Sequence, residues 1–188
     1  MKHVLFNKAL RLLLLTNGII LLAGAMLGPI YALFVEGIGG DLLDASLTGG
    51  IFALAAGLTT LYSGKLCDKG KHPKFIISFG YFCMAVGFFG YNFVDSIYAL
   101  FFIQIIIGFG EAIYSPAFDS LYSKNLAKTM RGREWGTWEA MNYFSIAIGA
   151  AIGGFIVTYL GFRSLFVLMG LISLFSSLFL FFAPKKSL

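Results

Sequence analysis

Six long apolar stretches, separated by short charged segments, constrain the fold of this chain more than any other feature. They cover approximately residues 12–34, 46–63, 75–93, 97–121, 141–160 and 162–182. Each is long enough to cross the hydrocarbon core of a bilayer, about 30 Å thick, as an α-helix. Because lipid cannot hydrogen-bond to open backbone groups, each stretch is expected to be helical. The sequence therefore predicts an all-α membrane protein, with residues 1–188 forming a single domain of six transmembrane helices.

The composition supports the membrane class. Of the 188 residues, 59% are hydrophobic and only 12% are charged, and the mean hydropathy is +0.85. A soluble domain of this length needs a larger polar surface. The net charge of +5 is compatible with nucleic-acid binding, but the basic residues lie in short segments between apolar stretches, where membrane orientation explains them better. Membrane lipid is therefore the expected environment, and no nucleic-acid partner is expected.

The basic residues also predict an orientation. They occupy the N-terminal tail, the segments after the second and fourth apolar stretches, and the C-terminal tail. The other three connecting segments carry one base between them, Arg163. With both termini in the cytoplasm, thirteen of the fourteen Lys and Arg residues face the cytoplasm. The positive-inside rule then predicts a multi-pass protein of the cytoplasmic membrane with both termini inside.

Several chemical classes find no support in the sequence. Cys67 and Cys83 have no metal-binding spacing and are predicted to be free thiols. His3 and His72 both lie outside the apolar stretches, so an intramembrane serine hydrolase would lack its histidine base. No enzyme activity, cofactor or metal is expected.

The fourth apolar stretch is the most polar of the six. Its polar and small residues recur every three or four positions and form one slowly drifting face: Gln104, Gly108, Glu111, Ser115 and Asp119. A carboxylate near the middle of a span is costly unless it is protonated, paired or hydrated. We therefore expect Glu111 to face a cavity or a partner and to be able to exchange a proton. The alternative is a neutral Glu111 hydrogen-bonded to another helix.

Other polar residues are candidates for the same pathway or for its cytoplasmic end. Asn17, Gln104 and Asn142 are candidate cavity contacts, although intramembrane amides more often join helices to one another. Trp135 and Trp138 are expected to be membrane-interface anchors. An ion-pair cluster is expected at the cytoplasmic rim, formed by Asp119, Arg131, Arg133 and Glu139.

Small residues follow one another at four-residue steps in two of the stretches. Gly49 and Gly57 belong to the second stretch, and Gly149, Gly153 and Gly154 belong to the fifth. Small residues allow helix backbones to approach closely. They indicate either static packing inside one bundle or a surface that slides against another half.

The segment GKLCDKGKHPK, residues 64–74, carries the most specific motif of the chain. Gly64, Leu66, Asp68 and Lys69 match a loop signature of the major facilitator superfamily, although Gly70 stands one residue earlier than the second glycine of that family. Two further segments are similar to family motifs: RGREWG at 131–136 and GAAIGG at 149–154. The chain resembles the N-terminal six-helix half of a transporter of this superfamily.

That resemblance implies a substrate cavity between two halves and alternating access to it. The prediction is a half-size transporter of a small solute that works as a parallel homodimer. Glu111 is its candidate proton or substrate group, and Asp68 would help to latch the cytoplasmic side. Two alternatives stay open: a separate chain supplies the other half, or the chain is a non-transporting scaffold or a truncated product. The substrate and the coupling ion are left open by the sequence.

Overall fold

The computed structural model describes residues 7–68 and 72–184. Lys69, the base of the loop signature, lies outside these residues. Within them the chain is helical and has no strand. The helices are α1 (Lys8–Ala25), α2 (Tyr31–Gly37), α3 (Leu42–Asp68), α4 (Pro73–Gly90), α5 (Ile97–Asn125) and α6 (Arg131–Phe182). The predicted all-α class is therefore confirmed.

The first apolar stretch is interrupted. Helix α1 begins after Asn7, whose side-chain oxygen accepts a hydrogen bond from the backbone N–H of Leu10 at 2.8 Å. It ends at Ala25, and a 3₁₀ turn at Gly28–Ile30 leads into α2. Pro29 lies in that turn and has no N–H to continue a helical ladder. The predicted single span is thus two helices with a turn between them.

Five helical stretches of the described residues are long and apolar enough to cross a membrane: Lys8–Gly37, Leu42–Asp68, Pro73–Phe93, Ile97–Asn125 and Arg131–Phe182. The sequence predicts six spans, and the difference lies in α6. This helix has 52 residues, far more than one crossing requires.

Helix α6 is broken at Gly161. The backbone there has φ 77° and ψ 169°, outside the helical region. Before Gly161, successive residues of α6 contact partners with increasing residue numbers: Trp138 contacts Asn17, and Gly153 lies against Met26. After Gly161 the residue numbers of the partners decrease: Phe166 contacts Phe34, and Ser176 contacts Thr16. The chain therefore reverses direction at Gly161.

We expect Gly161→Ala to destabilise the protein. The backbone angles at Gly161 belong to a region that is essentially restricted to glycine, and forcing another residue into it costs about 1–3 kcal/mol. The measurement is thermal unfolding of the purified protein in detergent. Gly136→Ala in the helical part of α6 is the matched control, since an added Cβ there has nothing within 4 Å. Equal melting temperatures for the two variants would contradict the assignment of Gly161 as a strained turn.

Serine side chains join the helices inside the bundle. Three of them donate hydrogen bonds to backbone carbonyls of a neighbouring helix: Ser63 to Ala112 at 2.6 Å, Ser176 to Thr16 at 2.8 Å, and Ser177 to Ser78 at 2.7 Å. Such small polar groups replace part of the hydrophobic driving force that is missing between helices in lipid. They fix α3 on α5 and the second part of α6 on α1 and α4.

The bundle has a basic end. The side-chain amide of Asn7 donates to the carbonyl of Asn125 at 2.9 Å, and Lys74 donates to the carbonyl of Ala183. The starts of α1 and α4 therefore meet the ends of α5 and α6. The described bases near these four helix ends and the adjoining end of α3 are Lys8, Arg11, Lys65, Lys74, Lys124, Lys128, Arg131 and Arg133. The acidic connection between α2 and α3 lies at the opposite end, where Gly40 is close to Ile97.

Candidate functional site

A cavity of about 410 Å³ opens in the helical bundle. Every one of the helices α1 to α6 contributes to its wall. Most of the lining is apolar or aromatic, and two of the sequence-predicted pathway residues, Gln104 and Glu111, face it together. Both belong to α5 and lie seven residues apart, which is about two helical turns.

The Gln104 side of the cavity carries a chain of hydrogen bonds. The amide nitrogen of Gln104 donates to the hydroxyl of Tyr31 at 2.5 Å. That hydroxyl donates to the hydroxyl of Thr48 at 2.8 Å, and Thr48 donates to the carbonyl of Ala45 at 2.8 Å. The network connects α5, α2 and α3. Because the hydroxyls of Tyr31 and Thr48 each accept one hydrogen bond and donate another, the network ties this wall of the cavity together.

The Glu111 side of the cavity has no comparable hydrogen-bond network among the described residues. Glu111 lies midway along α5 and is half-buried at the cavity. In the described part of the chain, no hydrogen bond is recorded to its carboxyl group and no Lys, Arg or His lines the cavity with it. The aromatic rings of Phe52 and Phe88 belong to the same wall. Glu111 therefore presents a half-buried carboxyl group, without a hydrogen-bond partner among the described residues, to a largely apolar space.

Asn17 does not belong to this cavity. Its side-chain oxygen accepts a hydrogen bond from the indole N–H of Trp138 at 2.9 Å, and its amide nitrogen donates to the hydroxyl of Tyr81 at 3.4 Å. Asn17 is 2% exposed. It joins α1 to α4 and α6, which is the common role of an intramembrane amide. Trp138, predicted to be an interface anchor, instead binds a buried amide.

Asn142, the remaining candidate contact, is half-buried on α6 and does not line the cavity. The structure thus brings Gln104 and Glu111 together and places both asparagines elsewhere. Tyr31 is the cavity residue that sequence reasoning missed. Its position beside Pro29, at the turn between α1 and α2, was the available signal.

The ion-pair cluster predicted at the cytoplasmic rim stays a prediction. Asp119, Arg131, Arg133 and Glu139 are exposed, and no hydrogen bond among the described residues joins them. This end of the bundle is fastened by a different acid, Glu134.

Glu134 is buried, with 3% of its surface exposed. Its carboxylate accepts from the backbone N–H of Ala127 at 2.8 Å, and its carbonyl accepts from the hydroxyl of Tyr122 at 2.6 Å. It lies in the first turn of α6, where the helix dipole favours a carboxylate. An acid at the start of a helix, inside RGREWG, was the sequence signal for this role.

The loop signature is only partly described. Gly64 is half-buried near the end of α3, and Asp68 is the last residue of that helix and is exposed. The latch role of Asp68 stays a prediction. Among the described residues, no group of His, Cys, Asp and Glu could hold a metal ion.

The predicted packing glycines of α3 and α6 differ in what lies beside them. A Cβ at Gly149 would lie 2.8 Å from the Cβ of Ala25, and one at Gly153 would overlap the backbone of Met26. By contrast, a Cβ at Gly49, Gly57 or Gly154 would have nothing within 4 Å. Gly149 and Gly153 therefore pack against the end of α1, whereas Gly154 on the same helix and both of those glycines of α3 have free space beside them.

A family model described as the Major Facilitator Superfamily matches residues 13–188. The chain belongs to the Major Facilitator Superfamily. The family assignment inferred from the loop signature is thereby confirmed, and the apolar helices are those of an integral multi-pass membrane protein. This superfamily consists of transporters.

Similar proteins of the superfamily are longer than this chain. An uncharacterized MFS-type transporter of Methanocaldococcus jannaschii is 28% identical over 159 residues, which cover 84% of this chain and 41% of the relative. Multidrug resistance protein MdtG of Serratia proteamaculans is 25% identical over 89% of this chain and 41% of its own length. A multi-drug resistance efflux pump PmrA homolog of Lactococcus lactis is 26% identical over 91% and 43%. The chain thus spans about two fifths of these curated relatives.

Proposed function

We propose that this chain forms one half of a secondary transporter that moves a small organic solute by alternating access, and that two copies pair in parallel to complete the pathway. The observation that carries the proposal is the uncovered face of α3. Only Thr48 and Ser63 are buried among its 27 residues. Helix α3 packs on α5 and α2, and the rest of its surface needs either lipid or a second bundle.

The break at Gly161 supports six crossings. It divides α6 into segments of about 30 and 21 residues, and each is long enough to cross a bilayer. The starts of α1 and α4 share the basic end of the bundle with the ends of α5 and α6. The positive-inside rule assigns that end to the cytoplasm, in the inner or plasma membrane.

The small residues of α3 favour a second bundle, rather than lipid alone, as the covering of the exposed face of this helix. Gly57 has open space beside it and does not line the cavity, so another helix could approach its backbone closely. A chain with an even number of crossings can meet a second copy that runs in the same sense, about an axis along the membrane normal. The curated relatives, which exceed twice the length of the matched region, accommodate a second half in one chain.

The relatives named as multidrug resistance proteins and efflux pumps favour export of organic solutes. Glu111 is the proposed proton or substrate group, with Gln104 beside it. The alternatives are that a different chain supplies the second half, or that the protein does not transport.

We expect copies of this chain to cross-link through α3 in native membranes. A Gly57→Cys variant, made with Cys67 and Cys83 replaced by alanine, should give a cross-linked dimer with a short bifunctional thiol reagent. Phe79→Cys on α4 is the control, since Phe79 is 52% exposed but lies on a different helix. Its variant should stay monomeric.

The outcomes separate the alternatives. Cross-linking of Gly57→Cys to a different protein would establish a heteromer and refute the homodimer. A protein that stays monomeric in liposomes and moves no solute would contradict the half-transporter itself.

A further inference from the structure

Residues of one chain line the cavity beside Glu111, and they combine one acid with a mainly apolar and aromatic surface. We propose that it binds lipophilic organic monocations, and that the determinants of this binding are complete within a single chain. The physiological role of such binding rests on the proposed transport function. The binding itself does not depend on transport or on a second copy.

Charge is the first argument. Glu111 supplies the acidic group of the lining, and none of the described lining residues is Lys, Arg or His. An ionised Glu111 within this largely apolar lining needs a counter-charge, and the described lining residues provide none. A bound monocation would supply it, whereas an anion would be repelled.

The second argument excludes a small inorganic cation. Metal ions such as Ca²⁺ require six or more oxygen ligands at short distances. The side chains that line the cavity offer one carboxylate and the amide oxygen of Gln104, and the hydroxyl of Tyr31 is already bonded to Gln104 and Thr48. These are far fewer than six oxygens. The remaining surface is mainly carbon, so the charge of the ligand must be carried by an apolar body.

The third argument is the aromatic lining. Phe52, Phe88 and Tyr91 line the cavity together with Glu111. Aromatic faces attract cations, and the attraction is stronger where water is excluded. The volume of about 410 Å³ falls within the range of cavities that hold small organic ligands. A bulky organic cation therefore matches the cavity in size, polarity and charge.

Glycines create part of this space. Gly24, Gly28 and Gly49 all line the cavity, and a Cβ added at each would have nothing within 4 Å. A leucine at Gly49 would therefore extend into unoccupied volume without displacing a packed neighbour. This allows the cavity to be filled while the fold is preserved.

The experiment measures tetraphenylphosphonium binding to the purified monomeric fraction in detergent, by equilibrium dialysis. Tetraphenylborate, which has the same shape and the opposite charge, is the ligand control. We expect tetraphenylphosphonium to bind at least about tenfold more tightly than tetraphenylborate, and Glu111→Gln to weaken its binding by about tenfold or more. Gly49→Leu should abolish binding.

Gly50→Leu is the matched control for Gly49→Leu. Gly50 neighbours Gly49 on α3 and also has nothing within 4 Å of an added Cβ, but it does not line the cavity. Its variant should bind as the unmodified protein does. Thermal unfolding and size-exclusion chromatography establish that the variants are folded.

Each result either supports or overturns the site. Unchanged binding in either Gly49→Leu or Glu111→Gln, or equal affinity for the two tetraphenyl ions, would overturn it. If tetraphenylphosphonium binds as expected but liposomes show no transport, the site holds and the proposed transport function fails. If transport of tetraphenylphosphonium occurs and neither substitution affects it, the transporter holds and this site fails.

Discussion

Gly153→Leu is expected to prevent correct assembly of the bundle. A Cβ at Gly153 would overlap the carbonyl oxygen of Met26 and would lie 2.9 Å from its Cα. Both are backbone atoms, so no side-chain rotation can relieve the overlap, and α6 would have to move away from α1. Overpacking of a close contact costs about 1–3 kcal/mol, occasionally more, and a backbone contact lies at the upper end. The measurement is the yield of monodisperse protein on size-exclusion chromatography, followed by thermal unfolding in detergent.

Gly154→Leu is the control for that substitution. It changes the next residue of the same motif, and an added Cβ there has nothing within 4 Å. We expect its yield and melting temperature to stay close to those of the unmodified protein. Similar yields for the two leucine variants would refute the close packing of α6 on α1. A large difference would favour static packing for this motif, one of the two interpretations that the sequence left open.

Glu111→Gln is expected to remove transport driven by a proton gradient. Glutamine preserves the size of the side chain and its capacity for hydrogen bonds, but it can neither release a proton nor carry a negative charge. If the carboxylate pairs with a cationic solute in an apolar cavity, its loss should lower transport by about tenfold or more. The measurement is uptake of tetraphenylphosphonium into liposomes that contain the purified protein, with a proton gradient imposed across the liposome membrane.

A second assay separates the two roles of Glu111. Exchange of labelled for unlabelled tetraphenylphosphonium requires binding and alternating access but no net movement of protons. If Glu111 acts only as the proton carrier, exchange survives in Glu111→Gln while gradient-driven uptake is lost. If it holds the cation, both are lost. Asp95→Asn removes an exposed carboxylate outside the helices and should change neither rate.

Unchanged uptake and exchange in Glu111→Gln would contradict a transport role. Glu111 would then be a neutral carboxyl group with a structural function, which is the alternative that the sequence already raised.

The polar residues show how far sequence reasoning reached. Position along a span identified Glu111, since an acid at mid-membrane depth needs a special environment wherever it points. The same reasoning treated Asn17 as equivalent to Gln104. The structure separates them, because Asn17 is satisfied by Tyr81 and Trp138 whereas Gln104 reaches Tyr31 at the cavity.

The glycines show the same limit of sequence-based prediction. Four-residue spacing predicts that small residues share a helix face, but it does not identify what that face meets. Gly149 and Gly153 lie against α1, whereas Gly49 faces the cavity. The rotation of each helix about its axis decides this difference, and that rotation is set by the packing of the whole bundle.

The sequence by itself determined the helical membrane class, the superfamily and the acid at the centre of α5. Each of these depends on composition and local spacing, which the chain carries whatever its tertiary contacts. Only the tertiary structure decided that Gly161 reverses the chain, that Glu134 fastens the basic end, and that Gln104 and Glu111 share one cavity. These features arise from contacts between residues far apart in sequence, and such contacts form only when helices with their own rotations and crossings pack together.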